Sequence, residues 1–208
     1  MKKSVLSIAL GMGLAVGLAV LLGGCAAGAP LLGSAASLAM QSLGIGKPDL
    51  PDSQKPPRDM PLRLYAANNL NAALDHHAFS LVVRIYVLKD ATAFQQAPFD
   101  TFSDPAREKA VLGTDLLQVR EVTLVPGQIY DVTEKVAYEA TAVGIVSLFR
   151  APAPLRWKFA FDPVKSSKSG VTVGLHNCAM TVTSGTVIPT PGGRPPEQLN
   201  MLSDTSCG

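Results

Sequence analysis

Cysteines, histidines and one apolar run carry most of the chemistry this sequence could perform. Cys25 follows Leu22-Gly23-Gly24 at the end of a charge-free stretch, Val5 to Leu22, that Lys2 and Lys3 precede. A charged start, an apolar middle and small residues before a cut is the order of a secretory signal peptide. Cys178 and Cys207 then form an even remainder in an oxidising compartment, which suggests one disulfide. Two free thiols are the alternative, because a bridge needs Cα atoms within about 4.4–6.8 Å of each other. His76-His77, with Asp75 beside them and His176 far along the chain, invite a metal reading. Adjacent residues on an extended chain point to opposite sides, and no zinc-site spacing accompanies them. They read better as exposed loop residues whose rings can serve an interface. There is no Gly-x-Ser-x-Gly elbow, and no further cysteine is left to act as nucleophile. Hydrolysis is therefore disfavoured, and no catalytic residue, metal or cofactor is expected.

The Leu-Gly-Gly-Cys ending resembles the bacterial lipobox. The Cys25 thiol would be joined to a diacylglycerol, the signal (residues 1–24) cut away, and the new amino terminus acylated. Each buried CH₂ contributes about 0.8 kcal/mol, so three chains would anchor the protein without spanning the bilayer. An uncleaved span is the competing reading, but about 18 apolar residues is near the lower limit for crossing, and Gly11, Gly13 and Gly17 weaken the helix. Ala26 stands where Asp would favour inner-membrane retention, so outer-membrane placement facing the periplasm is expected. Losing Lys2 and Lys3 takes the 18 basic residues down to the number of acidic ones, 16. A neutral chain with scattered Lys and Arg offers no footprint for nucleic acid. No small-molecule substrate is implied either.

The elements that must position these residues follow from composition and period. Residues 25–59 hold the lipidated cysteine and an Ala/Gly/Pro-rich linker, with a short helix expected between Pro30 and Leu43. Residues 60–185 read as one domain of short strands: Leu62–Ala67, Phe79–Leu88, Leu116–Val125, Gln128–Val136, Ala142–Arg150, Arg156–Phe161, Val171–Leu175 and Ala179–Thr183. Pro126-Gly127 signals a turn and predicts a hairpin between the third and fourth. Between Lys89 and Gly113, Asp90 is expected to cap a short turn and Asp104-Pro105 to start a helix that Gly113 ends. Arg84 and Tyr86 are assigned to a solvated sheet face, opposite Val83, Ile85 and Val87. Trp157 is read as a core aromatic between exposed Arg156 and Lys158, and Gly144 as a bulge or close approach. Residues 186–208 form a Pro/Gly-rich tail without regular structure, which a Cys178–Cys207 bridge would pin.

Several phrases of this body carry a resemblance: Val82-Val83-Arg84-Ile85-Tyr86-Val87-Leu88-Lys89, Leu112-Gly113-Thr114-Asp115-Leu116-Leu117, Pro126-Gly127-Gln128, Gly144-Ile145-Val146-Ser147-Leu148-Phe149-Arg150 and Arg156-Trp157. In this order behind a lipobox, over about residues 62–176, they resemble the outer-membrane lipoprotein of the type VI secretion apparatus, the TssJ (SciN/VasD) family. The resemblance implies a mainly β fold, a two-sheet transthyretin-like β-sandwich with short added helices, and no enzymatic activity. It implies a partner, the periplasmic carboxy-terminal domain of TssM, and contact through the loop between the first two strands. Here that loop is Asn68 to Ala78, with Asn68, Asn69, Leu70, Asn71, Leu74, Asp75, His76 and His77 as candidate contact residues. Family members often carry Leu-Asn-Pro-Asp and then a Gly-Arg-Pro-Ser type of turn there. This chain keeps Leu70-Asn71 but follows with Ala72-Ala73, so loop position transfers and contact chemistry does not. The competing reading is an unrelated outer-membrane sandwich lipoprotein binding another periplasmic or peptidoglycan-linked partner.

Overall fold

The computed structural model describes residues 49–72, 77–190, 192, 198–202 and 206–207. The signal segment, Cys25, the expected helix before Leu43, and Leu74, Asp75 and His76 lie outside the described residues. The chain divides into two units, residues 1–49 and 50–208, and the architecture below is that of the second.

Eight strands build two four-stranded sheets: β1 (Arg58–Ala66), β2 (Leu81–Leu88), β3 (Leu116–Leu124), β4 (Ile129–Val136), β5 (Ala142–Ser147), β6 (Lys158–Phe161), β7 (Val171–Leu175) and β8 (Met180–Ser184). One sheet has the order β4-β1-β7-β8 and the other β3-β2-β5-β6. Strict alternation places Met60, Leu62, Leu64 and Ala66 of β1 inside, while Asp59, Pro61, Arg63 and Tyr65 face out. This is the period-2 signature of a strand with one wet face. β1 starts at Arg58, four residues before the expected Leu62, and runs through Pro61. The missing N–H of Pro61 is tolerated because pairing with β7 begins only at Leu62–Val171. The inner faces close over one core that includes Leu62, Leu64, Val83, Ile85, Ile145, Phe161, Val173 and Met180.

The expected β3–β4 hairpin does not form. The turn is present, with Gln128 N donating to Val125 O at 3.1 Å and Gly127 at φ 78°. Yet β3 pairs with β2 and β4 pairs with β1, so the turn carries the chain from one sheet to the other. Proline first and a positive-φ glycine second is the type II pattern, whose twist splays flanking strands where I′ or II′ turns would pair them. An ion pair from Arg120 of β3 to Glu134 of β4 joins the two sheets along this side.

The segment between β2 and β3 folds over the outer face of β2. It contains α1 (Thr92–Gln96), a 3₁₀ turn Phe99–Ser103 and α2 (Pro105–Leu112). Asp104 is the N-cap of α2 as expected, whereas Asp90 stands one residue before Ala91, the N-cap of α1, and holds the first turn from there. Asp90 accepts from Thr92 N at 2.7 Å, and Asp104 from Ala106 N at 2.8 Å and Arg107 N at 3.3 Å. A third helix, α3 (Pro163–Ser166), repeats the device with Asp162.

This cover overturns the assignment of Arg84 and Tyr86 to a solvated face. Tyr86 is fully buried, packed against Phe94 and Phe102 with ring centroids 5.5 and 5.7 Å away. Its hydroxyl donates to buried Glu108 of α2 at 2.8 Å, and Arg84 reaches the same carboxylate at 2.6 Å and Glu121 at 2.8 Å. Burial, followed by the Glu108 contact, pushes the Tyr86 phenol well above its ordinary range. Gly144 is the place of close approach: a Cβ there would meet the Phe94 ring at 2.6 Å.

The flanks of Trp157 are likewise inside, not exposed. Lys158 donates to the carbonyls of Phe94, Gln95 and Ala97 at 2.5–2.8 Å, capping α1, and burial lowers its ammonium to about 8. Arg156 is 2 % exposed and bonds to the tail. Among the described residues no helix is long and apolar enough to cross a membrane.

Candidate partner interface

At one end of the sandwich the connection from β1 to β2 is held by backbone on both sides. Ala67 N donates to Leu175 O at 2.8 Å, Asn71 N to His176 O at 3.0 Å, and Phe79 N to Leu70 O at 3.0 Å. Leu70 is fully buried and joins the core. Asn71 is 5 % exposed, adopts φ 49°, donates through Nδ2 to Ser80 O and accepts from Arg150 N, both at 2.9 Å. A short polar side chain tolerates this left-handed backbone, so Asn71 is the pin of the loop. Leu70 and Asn71, expected among the contact residues, thus hold the loop from beneath. Their side chains present nothing outward.

Among the described residues here, Asn68, Asn69, His77, Phe79 and Ser80 are exposed to solvent. Phe79 is 42 % exposed, with the Arg150 guanidinium stacked 4.5 Å from its ring centroid. Asn68 lies against the β3–β4 turn, its Oδ1 only 3.1 Å from where a Cβ on Gly127 would sit. That turn is fastened to β1 through Ala66 N to Gln128 O and Gly127 N to Ala66 O, at 2.9 and 3.0 Å. Val125 and Ile129 flank it and are 53 % and 59 % exposed; Tyr65, opposite Ile129, is 39 % exposed. Phe79, Val125, Ile129 and Tyr65 therefore supply apolar surface at the same end, rimmed by Asn68, Asn69 and Arg150. An apolar centre with a polar rim is the anatomy of a protein-binding patch. Sequence reading missed Val125, Ile129 and Arg150. The available signal was two aliphatic residues bracketing Pro126-Gly127, where a solvated turn would carry polar ones.

His176 is half-buried behind this loop, its Nε2 3.0 Å from Thr181 Oγ1, and burial lowers its pKa. No group of three metal-ligating side chains occurs among the described residues. Cys178 and Cys207 are joined, with Cα atoms 5.6 Å apart.

Residues 58–178, from the first residue of β1 through β7 to the bridged cysteine, match the family model described as type VI secretion lipoprotein, VasD, EvfM, TssJ. The chain belongs to this family. The fold agrees with the crystal structure of the T6SS lipoprotein TssJ1 from Pseudomonas aeruginosa. That match has a TM-score of 0.54 and 27% identity over 65% of this chain and 100% of that one. It also agrees with Serratia marcescens Lip, a membrane bound component of the type VI secretion system. There the TM-score is 0.53 and the identity 19%, over 61% of this chain and 97% of that one. A chain in a structure of the T6SS protein TssM C-terminal domain from EAEC matches with a TM-score of 0.52 and 21% identity, over 61% and 98%. None of the curated proteins matches the chain. The TssJ-family region ends at Cys178, so β8 and the tail that the bridge fastens lie beyond it.

Proposed function

We propose that this type VI secretion lipoprotein is a non-catalytic docking component. It is anchored in the outer membrane through lipids on Cys25 and holds the periplasmic carboxy-terminal domain of TssM. The observation that carries the reading is the family match over residues 58–178, which takes in β1 to β7 and the whole β1–β2 loop. Likeness to a chain in a type VI membrane complex (TM-score 0.56, 21% identity) and to one in a TssM carboxy-terminal domain structure supports TssM as the partner. The contact surface in this reading is the exposed part of the Asn68–Ala78 loop together with Phe79, Val125, Ile129 and Arg150. Leu74, Asp75 and His76 complete the candidate set. Rigid sheets present loops of this kind to partners, and an aromatic beside a cation is a common anchor.

Calorimetric titration of the TssM periplasmic domain into the purified lipoprotein is the test. Saturable binding that weakens on Phe79→Ala is the expected result. Absence of any binding by the intact protein would favour another periplasmic or peptidoglycan-linked partner. Full affinity in a folded Phe79→Ala, Val125→Ser double variant would move the surface elsewhere on the sandwich.

A further inference from the structure

Beyond the family region, the tail sits in the body as a ligand sits in a site. Arg156 is buried, and its guanidinium donates to three tail carbonyls: Leu199 O at 3.0 Å, Gln198 O at 3.1 Å and Met201 O at 2.9 Å. Leu199 is 3 % exposed, packs into the main core, and lines a cleft of about 240 Å³ that Trp157 and Lys158 also line. Its carbonyl additionally accepts from Val182 N at 3.0 Å, so the tail takes a bond on β8, the outer strand of its sheet. One side-chain pocket, one forked cation for successive carbonyls and one strand-edge N–H are the parts of an extended-peptide site.

The fastener stands apart from the socket. Cys178 is buried next to Ala153 and Ala179, whereas Cys207 is exposed, so an external thiol can reach the bridge. The bridge holds the tail at a high effective concentration over the socket without contributing to the socket's own contacts.

We propose that Arg156, the Leu199 pocket and the β8 edge form a peptide-binding socket whose resident ligand is the chain's own segment Gln198–Met201. The Cys178–Cys207 bridge decides whether that ligand stays. With the bridge closed, the tail in cis excludes competitors. With it open, the same segment from a second copy can take the socket in trans. Opening is a two-electron, two-proton reduction: a dithiol gives both and cyclises to its own disulfide, and the S–S bond becomes two thiols. The inference does not depend on the TssM reading.

The test uses the mature lipoprotein in detergent micelles, with and without dithiothreitol, and a fluorescent peptide carrying the sequence of residues 196–206. Reduction is expected to speed hydrogen exchange of the Val182 amide at least tenfold while the β5 amides keep their protection. The peptide should then bind saturably to the reduced protein, at least tenfold more weakly to a reduced Arg156→Lys variant, and not at all to the oxidised protein. Unchanged Val182 exchange on reduction overturns the fastener, and a released tail with no peptide binding overturns the socket.

Discussion

At the scale of single residues, buried contacts decide more than surface chemistry. Gly144 faces the Phe94 ring, which is wedged between Tyr86 and Phe102 and cannot retreat. Gly144→Ala should destabilise the fold by about 1–3 kcal/mol, the usual cost of overpacking, read from urea unfolding midpoints. Lys158 makes a pH prediction whose sign follows from its lowered pKa, about 8 in the folded chain against an ordinary 10.5. Between these values the unfolded chain binds more protons, so stability should rise with pH through that window and show no contribution below it. The difference in thermal midpoint between wild type and Lys158→Met should move in favour of wild type from pH 8 to pH 10, and a flat difference would refute the assignment. None of these partnerships was legible beforehand. Phe94 and Gly144, or Arg156 and Leu199, are brought together by long-range folding, and periodicity speaks only of near neighbours along the chain.

Elements were legible where local chemistry controls them. Asp104-Pro105 and Gly113 bracket α2 because capping involves residues within one turn, and Val171–Leu175 follows from its own alternation. The choice of partner strand is another matter. Pro126-Gly127 announces a turn, but whether the chain then pairs or crosses to the other sheet depends on β1 and β2 claiming β4 and β3. Tyr86 was misplaced for a related reason, since residues 89–115 could have folded away from β2 or over it. Glu108 ties that cover down through Arg84 and Tyr86. Glu108→Ala leaves a buried hydroxyl unpaired and removes one partner of a partly buried cation, a loss of about 2 kcal/mol. Faster hydrogen exchange across α2, with β7 unaffected, is the corresponding local signature. A uniform change in both would mean that the insertion and the sandwich unfold as one unit.

For the whole molecule, the proposed partner surface was legible only as a position. Resemblance pointed to the β1–β2 loop, but which of its residues face outward depends on Asn71 clamping Ser80 and Arg150 together. Two predictions belong here. Phe79→Ala should leave the thermal transition nearly intact, because Phe79 is 42 % exposed, and should weaken TssM-domain binding at least tenfold by calorimetry, about 1.4 kcal/mol. Cys25→Ser should abolish sedimentation with the outer membrane, because a hydroxyl does not replace the thiol in lipid transfer. Wild-type fractionation of that variant would overturn the anchor.

The place of β1 also bears on time. It is the first strand along the chain, yet it lies in the middle of its sheet, antiparallel to β4 and parallel to β7, with Leu62 opposite Val132 and Val171. In a chain exported amino terminus first, one edge of β1 stays open until β4 emerges, Val132 following Leu62 by 70 residues, and the other until β7, where Val171 follows it by 109. Non-local pairing of this kind is slow and leaves apolar strand edges exposed meanwhile. On the proposed export route, the interval before β7 arrives is thus when a holdase would protect this protein most.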